Sequence, residues 1–206
     1  MDMKRKSPKL SYLENARFEN DIEYIGLEIN ENPKEKMILN DMTFDSCIFN
    51  KIDFSNMILN NVSFLDCIFR ECDLANKEFE NIFIIRTEFF NSRLTGVNIS
   101  KSKLQDVLFG DSLMNYFTIS DCAVENTEFI NCNLISSRLF NLKLKNAEFK
   151  ESVMRDFEVI NTSLKGIDLS TDEISNLLVN IGDIAGIKVN MSQAIDLLKL
   201  LEIEVK

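Results

Sequence analysis

Residues 56–76 read NMILNNVSFLDCIFRECDLAN and place Leu59, Phe64, Phe69 and Leu74 at an interval of five. An amphipathic helix repeats at about 3.6 residues and a half-buried strand at about 2, so neither common period accounts for the stretch. The interval extends far in both directions. Every fifth residue from Leu39 to Leu169 is apolar: ten Phe, ten Leu, three Ile, two Met and two Val over 27 positions. Two residues earlier in each unit, from Met37 to Ile167, the occupants are small or apolar, and Lys77 is the single charged residue among them. Two inward residues separated by one outward residue make a short strand, and the remaining two must turn the chain. The second residue after the central one is Asn, Asp, Gly or Ser in 20 of the 27 units, as at Asp41, Asn61, Asp66 and Gly96, which is corner chemistry.

Identical residues in successive coils would stack, so the sequence also reports how many sides close a turn. Stepping by 20 from Phe49 gives Phe69, Phe89, Phe109, Phe129, Phe149 and then Leu169; the other three columns hold only Phe44, Phe54, Phe64 and Phe79. Four pentapeptides per turn and an aromatic ladder up one side follow. In these units the chain resembles the pentapeptide-repeat proteins over residues 37–171. The resemblance implies an all-β fold, a right-handed quadrilateral β-helix. At about 4.8 Å per strand spacing, just under seven coils make a rod about 32 Å long.

Composition narrows the function. The net charge of -10 disfavours direct binding to nucleic acid or an acidic membrane and favours a basic partner surface. With no His and no Trp, and no GxGxxG, GxxxxGK[ST] or GxSxG, the chain offers neither the usual general base nor a phosphate loop. A non-enzyme without cofactor or metal is expected. The start MDMKRKSPKL has no signal-peptide pattern and no run is long and apolar enough to span a bilayer, which predicts the cytosol.

All five cysteines, Cys47, Cys67, Cys72, Cys122 and Cys132, occupy inward positions and read as small buried thiols rather than metal ligands or disulfides. Glu78 and Glu80 flank a central Phe and read as solvated acids. Inward Lys77 needs a partner or must snorkel to solvent. It precedes NIFIIRTEFF, where Phe83, Ile85 and Phe90 are outward; a local bulge and an apolar partner-binding patch both remain open there.

Three segments are expected. Residues 1–21 form an N-terminal tail, basic through Lys4, Arg5, Lys6 and Lys9 and loose over about the first 15 residues. Residues 22–171 form the β-helix, regular over 37–171, with Ile22, Tyr24, Leu27 and Ile29 making a partial first coil. Residues 172–206 form a cap. In NMSQAIDLLKLLEIEVK, Asn190 and Gln193 have capping-box spacing. Met191, Ala194, Ile195, Leu197, Leu198, Leu200 and Leu201 make a helix too apolar for one exposed face, so a second copy is the economical partner.

This tail is similar to that of the Qnr group within the family, at Gly186, Lys188, Gln193, Ala194, Leu197, Leu201, Ile203 and Val205. The resemblance implies a tail-to-tail homodimer through a C-terminal helical cap. Glu202 replaces the Gly usual in the group, which predicts a different helix exit. It also implies the group's function: a DNA mimic that binds a type II topoisomerase, DNA gyrase or topoisomerase IV, and protects it from quinolones. The repeat-interrupting loops of many members are absent between residues 37 and 171, which weakens quinolone protection specifically and leaves looser binding or another poison compatible. The ladder side carries Glu71, Glu88, Asp111, Glu128, Glu148, Glu151 and Asp168 against Lys51, Arg70 and Lys150; the opposite side carries five acids against two bases. These seven acids are the candidate partner-binding residues. The alternative is a non-catalytic scaffold that docks an unrelated protein on Phe83, Ile85 and Phe90.

Overall fold

Left-handed corners close every side of the coil. Asp66 (φ 52°), Arg86 (φ 47°), Asp106 (φ 57°) and Asp111 (φ 51°) are typical of the second residue after each centre. Asn, Asp and Gly tolerate this region, which explains their enrichment. Lys51, Glu71, Lys101, Tyr116 and Glu151 adopt it too, whereas Asn56 and Thr171 at the same corner position do not. The computed structural model describes residues 5–10, 13–19 and 23–203, and in them the chain is an all-β parallel solenoid of about eight turns with one short α-helix.

Glu14–Ala16 pairs with Leu27–Ile29 at an offset of 13 residues, and from there on pairing is parallel with a constant offset of 20: Ile48 faces Ile68, Ile68 faces Glu88, Glu88 faces Leu108, Leu108 faces Glu128 and Glu128 faces Glu148. Each turn therefore holds four pentapeptides. The ladder Phe49, Phe69, Phe89, Phe109, Phe129, Phe149 stacks with centroid separations between 4.6 and 5.1 Å and interplanar angles of 6 to 19°. These contacts and the surrounding Leu and Ile fill one continuous core.

The inward companion position does more than fill space. Ser152 Oγ donates to Phe129 O and Lys150 O, both at 3.2 Å, and accepts the Cys132 N–H at 3.0 Å. Cys132 Sγ bonds Phe109 O at 3.3 Å. Small hydroxyls and thiols thus tie one coil to the last, which favours Ser, Thr and Cys there over larger apolar residues. Burial raises the Cys72 thiol to about 11 and the Cys132 thiol to about 12, leaving both inert as nucleophiles.

Two expectations change and one open alternative closes. The coil does not stop at residue 171: Leu178–Val179 pairs with Glu158–Ile160, Asp168 bridges Lys188, and Ile174 and Leu177 are in the core. The five-residue register continues through Ile184 to Val189, packed against the core. Lys77 causes no bulge, since Glu78–Glu80 and Phe83–Ile85 keep the 20-residue register. Its ammonium reaches out to donate to Met57 O at 2.6 Å, and burial lowers its pKa. The loose tail is the second expectation to change: residues 5–10 lie against the coils. At the same end, Tyr24 and Ile29 complete a first coil, and Phe18 covers it. The Phe18 ring stacks on Phe49 at 6.2 Å and 15° and meets Phe54 edge-on at 6.2 Å. Ile22 lies outside the described residues.

Candidate partner-binding faces

Each residue just before a centre points outward, and on most of the rod apolar residues there are exposed, such as Ile38 at 54%, Phe83 at 53% and Leu113 at 53%. The ladder side differs: Ile48, Ile68, Glu88 and Leu108 are all buried. The cause is the segment 5–10. Arg5 Nη1 pairs with Glu88 at 2.8 Å and its Nε with Glu128 at 3.1 Å. The Lys6 N–H donates to Asp106 Oδ1 at 3.1 Å, the Lys9 N–H to Asp66 Oδ1 at 2.7 Å, and Ser46 Oγ to Lys9 O at 3.3 Å.

The receiving acids are themselves held in place. Arg86 grips Asp66 through two bonds, 2.6 and 2.5 Å. Burial alone would raise the Asp66 carboxyl, but Arg86 and the Lys9 N–H outweigh it and hold the pKa below the usual value. Asn126 Nδ2 donates to Asp106 Oδ1 at 3.0 Å. Corner residues 66, 86, 106 and 126 thus form one polar ladder under the segment.

The seven candidate acids consequently divide. Glu88 and Glu128 are engaged by Arg5, and Glu71 lies 3.6 Å from Lys51. Asp111 accepts from Asn131 at 2.6 Å, and Asp168 accepts its own turn's Ser170 N–H at 3.0 Å; the Ser170 bonds hold its carboxyl below the usual pKa. Asp111, Glu148, Glu151 and Asp168 are exposed and form no ion pair among the described residues. On the opposite side, Glu80 pairs with Lys101 at 2.7 Å and Glu158 with Arg138.

The candidate apolar patch is not one surface. Phe83 is exposed and Ile85 half-buried on one side, while Phe90 is half-buried around the next corner. There its ring lies across Gly110, where a Cβ would come within 3.0 Å of it.

At the other end, the helix Met191–Leu198 begins with the expected capping box: Asn190 Oδ1 accepts the Gln193 N–H at 3.0 Å, and Gln193 Oε1 accepts the Asn190 N–H at 2.7 Å. Gln193 is also buried, and its Nε2 donates to Leu169 O at 2.8 Å and Asp172 O at 2.6 Å, latching the helix to the last coil. Composition alone gave no sign of that latch. Ala194, Leu197 and Leu198 are half-buried, while Met191 (80%), Ile195 (44%) and Ile203 (47%) are exposed. Leu178 is exposed beside the helix, in a shallow recess shared with Ile174, Leu197 and Leu200. Val205 and the side chain of Leu201 lie outside the described residues. The helix exit departs from expectation: Glu202 holds φ at 57°, so the left-handed turn survives without glycine.

No helix is long and apolar enough to cross a membrane among the described residues. Two family models match the chain, a pentapeptide repeat region at residues 62–139 and pentapeptide repeats in eight copies at 38–76. No curated protein sequence matches it. Among solved structures, a trypsin-treated variant of QnrB1, a plasmid-mediated fluoroquinolone resistance protein, is 17% identical over 96% of this chain and 99% of that one, with a TM-score of 0.50. HetL, a pentapeptide-repeat protein involved in heterocyst differentiation regulation from the cyanobacterium Nostoc sp. strain PCC 7120, is 14% identical over 88% of this chain and 92% of its own, with a TM-score of 0.36. At these identities the likeness to QnrB1 is one of fold.

Proposed function

The chain belongs to the pentapeptide-repeat family, and from that premise we propose that it is a DNA-mimicking rod that binds a type II topoisomerase, gyrase or topoisomerase IV, and shields it from quinolones or related poisons. The observation that carries the reading is the set of uncovered carboxylates Asp111, Glu148, Glu151 and Asp168 on one side of a rigid coil. Fixed negative charge at constant rise is what a basic DNA-binding saddle attracts, and rigidity spares the ordering cost that a flexible acidic chain would incur. In this reading the coil is right-handed and quadrilateral, and the protein acts in the cytoplasm by occupancy, without turnover.

The exposed Met191, Ile195, Ile203 and Leu178 support the second part of the proposal, a tail-to-tail homodimer that doubles the acidic rod about a two-fold axis. The test is supercoiling by purified gyrase with and without a quinolone, as the protein is titrated from nanomolar to tens of micromolar. Rescue of the poisoned enzyme that disappears when the four free acids become Asn or Gln supports the reading. No effect on gyrase or topoisomerase IV in either condition overturns it. The scaffold reading rests on exposed Phe83, and an effect lost with Phe83→Ala but kept without the four acids would favour it.

A further inference from the structure

We propose that the face formed by Asp66, Glu88, Asp106 and Glu128 is a recognition site for an extended basic peptide segment of a partner protein, and that residues 5–10 are its resident, displaceable occupant. The site is distinct from the four uncovered carboxylates, and the proposal does not rest on the topoisomerase reading.

The geometry of the match is metrical. Asp66 and Asp106 stand two coils apart, about 9.6 Å at the usual strand spacing, and the N–H groups that reach them belong to Lys6 and Lys9, three residues apart. Three residues of extended chain cover about 10 Å. Where such a chain turns once in three residues, as polyproline II does with a rise of about 9.3 Å, the N–H groups of residues i and i+3 point the same way, and one meets every second corner of this column as those of Lys6 and Lys9 do. Side-chain selection comes one residue earlier, at Arg5. Its guanidinium spans Glu88 and Glu128, also two coils apart, and its side chain is only 11% exposed there. Two carboxylates facing one guanidinium leave a net negative site, which favours Arg over Lys because the planar fork can serve both at once. Ile48, Ile68 and Leu108 lie on the same face and are buried, so the occupant also covers apolar surface that stands open on other sides of the rod.

The same contacts make the occupant replaceable. Residues 5–10 form no strand ladder with the coils; among the described residues, two ion pairs and three hydrogen bonds hold them beside the apolar cover, none of which spans the rod's core. An intramolecular ligand of this kind lowers the apparent affinity of a competing segment by the fraction of time the face is free. The specification for the partner is an exposed, extended stretch with Arg, a free backbone N–H one and four residues after it, and no acidic residue between.

The test uses the full chain, with a fluorescein-labelled peptide MDMKRKSPKLSYL (residues 1–13) as the probe and fluorescence anisotropy as the readout. Arg5→Glu repels the resident segment from the two glutamates without touching the coil. This variant is expected to bind the peptide saturably, at least about tenfold tighter than the wild-type chain, whose face is already filled. Adding Glu88→Gln and Glu128→Gln to it is expected to abolish that binding, and a scrambled peptide of the same composition is expected not to bind. Equal binding by wild-type and Arg5→Glu chains, no binding by Arg5→Glu, or equal binding of the scrambled peptide would each overturn the proposal. Circular dichroism of each variant, unchanged in the strand region, keeps the comparison to folded protein. A supercoiling result bears on none of these outcomes, so the two proposals fail separately.

Discussion

The two ends of the rod face the same problem and meet it differently. A parallel coil exposes an unpaired strand edge and a cross-section of core at each end. At the first coil the chain covers itself: Phe18 is buried against Tyr24, Phe49 and Phe54, and the Tyr24 hydroxyl donates to Glu19 O at 2.7 Å to fix the loop that carries it. At the last coil the helix Met191–Leu198 covers the edge through a polar latch, Gln193, and turns apolar side chains outward. One end is closed within the chain, whereas the other exchanges an exposed edge for an exposed apolar surface. The difference teaches that covering a strand edge need not hide apolar surface: exposed Met191 and Ile195 distinguish the two ends.

The sharpest way to break the comparison is the double change Met191→Glu and Ile195→Glu. In the proposed dimer it places like charges across the two-fold axis, so light scattering is expected to report complete loss of the dimer at micromolar protein with the coil intact. An unchanged dimer would move the interface elsewhere. Phe18→Ala is expected to cost about 3 kcal/mol in urea unfolding, the usual loss for a buried Phe, with no effect on association. Gln193→Ala removes both latch bonds and half the capping box, for an expected loss of about 2 kcal/mol and a weakened dimer, since the helix is then free of the coil.

A smaller effect depends on pH. Asp172 accepts the Ser152 N–H at 2.8 Å, yet its Oδ2 has no partner among the described residues, and burial raises its pKa to about 6. A carboxyl whose folded pKa exceeds its unfolded value of 3.8 contributes stability that is complete below about 4 and lost as pH rises through about 6. Asp172→Asn should therefore gain about 1 kcal/mol relative to wild type at pH 7, and the gain should vanish near pH 4. Urea midpoints of both proteins across that range check the sign. Smallest of all, Glu202→Gly relieves a left-handed backbone and is expected to raise stability by about 0.5 kcal/mol, visible as a slightly higher melting temperature.

Much of the coil is legible in the sequence alone. The five-residue interval, the 20-residue column of Phe and the Asn190–Gln193 cap all appear in the structure as read. Each is local: a narrow interior accepts only certain sizes, and a left-handed corner accepts only certain residues, so each unit carries its own record of the fold. The end of the coil was harder to see because Asp172 and Gly182 occupy inward positions and break the apolar pattern while the pairing continues.

What the sequence by itself determined is therefore the cross-section of this protein: which residues point in, where the chain turns and how many units close a turn. Only the tertiary structure decided which outward residues are free. Seven acids on the ladder side are equivalent as letters, yet Glu88 and Glu128 are engaged by Arg5 while Glu148, Glu151 and Asp168 stand open. The physical reason is range. Inward packing is set by neighbours 2, 5 and 20 residues away, a spacing the repeat itself writes down. Arg5 meets partners 83 and 123 residues away, through a segment that has no repeat to announce where it lies.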